Sequence, residues 1–202
     1  MSRRVTILLA ALLFALPAVP AAASGECVVL LHGLARVSNS MGELERKLGH
    51  SGYSVANISY PSTREPLDVL ANDAVGRGLE ACRQTGAEVI HFVTHSLGGI
   101  LLRYYHQSQG IAELGRVVML GPPNQGSELV DGLDGVPGFG ILGPTGRALG
   151  TEPEDIPRQL GPVAFELGVI AGDVNLNPLS LFLIDGANDS VVSVESTRVE
   201  GM

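Results

Sequence analysis

The stretch Glu88 to Tyr104, EVIHFVTHSLGGILLRY, constrains this chain more than any other. Val89, Ile90, Phe92 and Val93 form a short apolar run rich in β-branched residues, the composition of a strand covered on both faces. Ile100, Leu101, Leu102, Tyr104 and Tyr105 follow at helix-compatible spacing. Between them, Thr94-His95-Ser96-Leu97-Gly98-Gly99 must pass from strand to helix within a few residues. A serine at such a turn sits in strained backbone with its hydroxyl exposed above the sheet, and small neighbours let adjacent backbones approach. Serine and glycine also make ordinary turns, so the flanking strand and helix carry the reading.

The rest of the chain repeats the same units. Cys27 to Leu31 reads as a buried strand ending in His32-Gly33-Leu34. Ser40 to His50 reads as an amphipathic helix with Met41, Leu44 and Leu48 on one face, and Ser40 with Glu43 fits a capping box. Tyr53 to Tyr60 is a third strand, stopped by Pro61. Leu67, Leu70, Ala74, Val75, Leu79 and Cys82 mark a long helix before the central strand. Arg116 to Leu120 and Leu167 to Ala171 are further strands, and Leu181 to Ile184 and a strand-like VVSVEST extend the pattern. Strand alternating with helix predicts an α/β fold: a mostly parallel central sheet with helices on both faces.

Formal net charge is −8, without basic clusters, which argues against nucleic acid and against electrostatic docking on anionic membranes. Met1 to Ala23 has Arg3-Arg4, an apolar stretch Val5 to Val19, and Ala21-Ala22-Ala23. This is the pattern of a secretory signal peptide, with an uncleaved anchor as the rival. The expected mature chain, 24–202, is then periplasmic or secreted, without a stable membrane anchor. Ser24-Gly25-Glu26 separate the alanines from Cys27, so Cys27 is not placed as a lipoprotein cysteine. Two cysteines in an exported chain invite a disulfide. Cys27 begins a strand, and Cys82 ends a helix that returns to the same edge of the sheet; the expectation is a Cys27–Cys82 staple, against two separate thiols. No metal-ligand spacing or phosphate loop appears, so no cofactor is implied.

The turn at Ser96 resembles the nucleophile elbow, G-x-S-x-G, of α/β-hydrolases, with Thr94 in place of the first glycine. His32-Gly33, Pro123 to Ser127 and Asn188-Asp189 extend the resemblance to small secreted bacterial lipases and esterases. The resemblance implies Ser96 as nucleophile and an oxyanion hole from the backbone amides of Leu34 and Leu97. Pro123 to Ser127 resembles the loop that lines the pocket floor in bacterial lipases, although turn chemistry explains it as well. Residues 130–162 carry eight glycines and five prolines without a sustained period, and the resemblance implies a cap or lid. Asp189 is the implied acid, with Asp173 and Asp185 as competitors.

In this fold the chain order is Ser, then acid, then His. The five histidines are His32, His50, His91, His95 and His106, and none follows Asp189. A serine without a positioned base is a poor nucleophile. The expectations are a chain that stops short of its histidine, a histidine substituting from elsewhere, or a non-catalytic relative. His32 reads as structural, His91 as a core residue, His50 and His106 as exposed helix ends, and His95 as pointing away from the turn. The function expected is hydrolysis of small-molecule or lipid carboxylic esters through a Ser-Asp-His triad whose histidine this chain lacks. A catalytically inactive binding or chaperone-like protein is the alternative.

Overall fold

Alternating burial along each strand decides which side chains face which helix. A computed structural model of the protein describes residues 25–178 and 180–202, so the signal-peptide expectation lies outside the described residues. Strands β1 (Glu26–Leu31), β2 (Ser54–Ile58), β3 (Val89–His95), β4 (Leu114–Leu120) and β5 (Leu167–Ile170) form one parallel sheet. Their order is β2-β1-β3-β4-β5. In β1, Cys27, Val29 and Leu31 pack on the face covered by α2 (Leu67–Gln84) and α3 (Leu97–Gln109). Val28 and Leu30 point the other way, onto Met41 and the α1 (Gly42–His50) residues Leu44 and Leu48. Helices therefore lie on both faces, as the alternation predicts.

The two faces are unequally covered. Ile90, Phe92, Val117 and Met119 are buried under α2 and α3. On the opposite face, Val93, Val118 and Leu120 are only half-buried, and Ile170 on the edge strand is 61% exposed.

Several local expectations need correcting. A 3-10 turn over Ser38–Met41 moves the α1 cap to Met41, one residue past Ser40. The Ser40 hydroxyl donates to the Val37 carbonyl at 2.7 Å, while Glu43 pairs with Arg46 and Lys47, so no capping box forms. Leu181–Ile184 and the VVSVEST stretch are turns, because their backbone bonds are local or run to loops rather than to a strand. His91 is not a core residue: its ring faces the thinly covered side, 3.6 Å from Glu26, with Nδ1 accepting the Arg116 N–H at 2.9 Å.

The end of β1 is locked by polar contacts. His32 is fully buried and stacks on Tyr60, with ring centroids 3.9 Å apart. Its Nδ1 donates to the Gly33 carbonyl at 2.9 Å, and its Nε2 accepts the Tyr60 N–H at 3.3 Å. The Tyr60 hydroxyl donates to the His32 carbonyl. Both nitrogens are occupied in the neutral ring, and burial holds its pKa below the usual imidazole range. His32 is structural, as its sequence position suggests.

The expected disulfide is present: Cys27 and Cys82 are bonded, Cα atoms 5.6 Å apart, joining the start of β1 to the last turn of α2. It closes a loop with a sequence separation of 55, for which chain entropy gives about 4 kcal/mol of stabilisation. The double variant Cys27→Ala/Cys82→Ala should melt roughly 10 °C lower at the usual few degrees per kcal/mol; an unchanged melting temperature by circular dichroism would contradict this.

A second expectation follows from His32. The unfolded chain takes up a proton near the ordinary histidine pKa, but the folded chain resists it. The stability from neutral His32 is therefore complete above about pH 6.5 and declines as pH falls below that value. Burial shifts His95 and His106 in the same direction. The urea midpoint should drop between pH 7.5 and pH 5.5; a rising midpoint would contradict it.

Candidate active site

Ser96 occupies the turn between β3 and α3 with φ 50° and ψ −118°, backbone that an L-residue adopts only under constraint. The constraint comes from both sides. The Ser96 N–H donates to the Leu120 carbonyl at 2.9 Å, and the Ser96 carbonyl accepts the Gly99 N–H at 3.0 Å. A Cβ on Gly98 would lie 2.7 Å from the Leu31 carbonyl oxygen, so only glycine lets α3 start this close to the end of β1. Thr94 is fully buried, and its Oγ1 has no hydrogen-bond partner among the described residues. A Cβ on Gly99 would stand 3.3 Å from that oxygen. The motif's missing small residue is thus accommodated by Gly99 beside it.

Ser96 opens onto a cavity of about 390 Å³, and Leu34, His95, Pro123, Ser127 and Asp189 share its wall. The wall is mostly apolar. Leu129, Val130 and Leu133 come from α4 (Glu128–Leu133), Phe139, Leu142 and Leu149 from the segment that follows, and Val191 and Val192 from the loop bearing Asp189. The glycine- and proline-rich stretch therefore holds short helical turns, among them α5 (Gly143–Arg147) and α6 (Ile156–Gln159), and borders the cavity through Val130, Leu133, Phe139, Leu142 and Leu149. One bond ties its middle to the loop before α2, and others close it on itself. Thr145 Oγ1 donates to the Glu65 carbonyl at 2.7 Å, and Asp131 takes the Thr151 N–H at 3.0 Å and its hydroxyl at 2.6 Å.

Of the three candidate acids, Asp189 lines the Ser96 cavity; Asp173 and Asp185 are exposed and do not line it. Asp189 Oδ1 accepts the N–H groups of Val191 (3.0 Å) and Val192 (2.8 Å). Its Oδ2 lies against the end of β4, where a Cβ on Gly121 would meet it at 2.9 Å. The loop is held from below: Ser127 Oγ donates to the Val191 carbonyl at 2.6 Å, and Asn124 Nδ2 donates to the Thr197 carbonyl at 2.8 Å.

Leu97 follows Ser96 at the first position of α3, and Leu34 lies on the loop after β1, in the same cavity wall. The expectation for His95 is corrected. Its ring does not point away but lines the cavity beside Ser96 and Asp189, over Gly33, where a Cβ would meet Nδ1 at 2.5 Å. Burial first, then the Arg36 charge, hold its pKa below the ordinary value against the opposing pull of Asp189. His106 is half-buried rather than exposed, edge-on to Phe165, because α3 docks its last turns under that loop. His50 is exposed at the end of α1.

Sequence reasoning missed Arg103. It is 4% exposed, and its Nη1 donates to the carbonyl and the side-chain oxygen of Asn124, while Nη2 donates to the Leu160 and Gly161 carbonyls, all at 3.0 Å. It ties α3 to the loop carrying Pro123 and Ser127. The signal was a lone charge inside the apolar run LLRYY. Among the described residues, no group of three or more His, Cys, Asp or Glu side chains is placed to hold a metal ion.

No family model matches this chain, and no curated protein matches it in sequence. Solved structures do match in shape. The mature lipase of Bacillus licheniformis is 18% identical with a TM-score of 0.69, covering 88% of this chain and 80% of its own. A phospholipase of Legionella pneumophila, solved with thio-NAD, is 20% identical with a TM-score of 0.68; the match covers 86% of this chain and only 44% of that one. An esterase of Exiguobacterium antarcticum is 17% identical with a TM-score of 0.57, covering 75% of each chain. At these identities the likeness is one of architecture, and the architecture is clear: this chain has the α/β-hydrolase fold.

Proposed function

We propose that this protein is an exported serine hydrolase acting on carboxylic esters. The observation that carries the reading is Ser96, held at φ 50° at the floor of an apolar cavity that Asp189 shares. Strained backbone that the surrounding structure enforces is a mark of functional sites. In the reaction, Ser96 Oγ attacks the ester carbonyl while an imidazole takes its proton. The backbone amides of Leu34 and Leu97 hold the oxyanion, and the imidazolium then returns the proton to the departing alcohol. Water attacks the acyl-enzyme by the same route and releases the acid. Asp189 orients the imidazole and stabilises its charged form. The apolar wall suits an acyl chain, and residues 130–162 act as a cap over it. Neighbours named lipase, phospholipase and esterase support an ester substrate. The Cys27–Cys82 bridge supports an oxidising compartment, periplasmic or extracellular.

We assign that imidazole to none of the four histidines His32, His50, His91 and His106. His32 has both nitrogens engaged, His91 and His106 line a groove away from Ser96, and His50 is exposed on α1. His95 is the internal rival, because it lines the Ser96 cavity.

Two outcomes test this. The chain should hydrolyse 4-nitrophenyl butanoate feebly, since oxyanion binding without a complete triad still gives ~10³–10⁴ over water, and Ser96→Ala should leave most of that residual rate in place. Absence of turnover with every acyl length would favour an inactive binding protein. Added imidazole, after subtraction of its own reaction, should raise turnover severalfold in the unaltered chain and not in Ser96→Ala. If instead turnover is fast without imidazole and collapses in His95→Gln, the base is His95.

A further inference from the structure

A second depression adjoins the Ser96 cavity. It encloses about 660 Å³ and shares Ala35, Arg36 and Leu142 with the cavity wall. Its far side is the loop after β2, from Ser59 to Arg64, and its near side is Val37 with the cap residues Ile141 and Leu142. The two spaces adjoin at these residues, the Ser96 cavity being the more enclosed arm and this depression the more open one.

The charge in that open arm is unusual for this chain. The protein carries a net charge of −8, and most of its cations are spoken for. Arg46 and Lys47 pair with Glu43, Arg77 with Asp73, Arg83 with Glu113, Arg116 with Glu166 and Arg198 with Glu195. Arg103 donates through both Nη atoms to carbonyls, and Arg158 bonds to Gln125. Arg36, Arg64 and Arg147 have neither an ion pair nor a side-chain hydrogen bond among the described residues, and of these three only Arg36 and Arg64 line the open arm. No aspartate or glutamate lines it. Their loops are ordered: Ser62 is 4% exposed and its hydroxyl accepts the Ala35 N–H at 3.0 Å, joining the two arginine-bearing loops directly. Two unpaired guanidinium groups on linked loops, in an arm that no carboxylate lines, form a receptor for an anion. Such a group engages carboxylate or phosphate oxygens with charge-assisted hydrogen bonds.

We propose that Arg36 and Arg64 select esters whose alcohol part carries an anionic group, a phosphate above all, while the acyl chain fills the apolar cavity. The proposal rests on the hydrolase reading of Ser96. It gives the two adjoining spaces a polarity: hydrocarbon inward past Leu133 and Phe139, the scissile carbonyl at Ser96, and the anion outward beside Arg36.

The test is binding, so that it does not depend on turnover. Isothermal titration at low salt compares octyl phosphate below its micelle concentration, octanol and inorganic phosphate, on the unaltered chain, on Arg36→Gln/Arg64→Gln and on Arg36→Lys/Arg64→Lys. Octyl phosphate should bind the unaltered chain at least about fivefold more tightly than the Gln variant, the size expected for solvent-accessible ion pairs. The Lys variant should keep most of that gain, 0.5 M NaCl should erase it, and octanol should bind all three alike. Three results would overturn the proposal: no binding of octyl phosphate, equal binding to the unaltered and Gln forms with circular dichroism showing both folded, or inorganic phosphate binding as tightly as octyl phosphate. Failure of the hydrolase reading registers separately. If the octyl phosphate contrast holds but no ester is turned over, the anion receptor stands and Ser96 catalysis falls.

Discussion

Helix α3 begins in van der Waals contact with the last residue of β1, and the upper end of the sheet is arranged around that contact. The turn at Ser96 has no room to relax: the Leu120 carbonyl fixes its N–H, and Leu31 lies against Gly98. A side chain on Gly98 would push the helix off the sheet and let the backbone at Ser96 fall into an ordinary region. The strain is of order 1–3 kcal/mol, and it is offset by the burial of Leu97, Ile100, Leu101 and Leu102 on the inner face of α3. The backbone conformation at Ser96 is therefore a consequence of packing two elements closer than side chains usually permit.

The remaining parts of the site are positioned by buried polar contacts that reach outward from the same helix. Arg103 grips the Asn124 loop; Asn124 in turn holds the Thr197 carbonyl, and Ser127 holds Val191 two residues after the acid. A cation in so dry a place is costly, and its pKa falls to about 10 through burial. Four carbonyl and amide oxygens compensate it, which leaves the geometry well determined. The loop bearing Asp189 has no strand to define it and depends on these side-chain bonds for its place beside Ser96.

Legibility in the sequence followed the same division. Buried strands and the α2 and α3 helices announce themselves through apolar runs, so the sheet, the elbow and the Cys27–Cys82 staple were readable. The start of α1 was not, because a 3-10 turn and a capping box share the same serine-rich composition and differ only in where the Ser40 hydroxyl points. VVSVEST looked like a strand because paired valines alternate with polar residues, but loop contacts such as Ser196 to Gly126 override that propensity. The orientation of His95 was unreadable for a related reason. In a strand the side chain before a turn lies on the face opposite its neighbours, yet the His95 ring borders the Ser96 cavity. Arg103 and the unpaired Arg36 and Arg64 depend on contacts between distant loops, which spacing along the chain does not encode.

The central claim is that the strain at Ser96 serves covalent chemistry. Treating the folded chain with excess alkyl fluorophosphonate and mapping the adduct by peptide mass spectrometry addresses it most directly, because the phosphonyl group stays on the attacking oxygen. The account predicts one adduct per chain, on Ser96, formed more slowly in Asp189→Asn when imidazole is supplied and absent in Ser96→Ala. An adduct on another residue, or labelling of folded Ser96→Ala at the original rate, would contradict it.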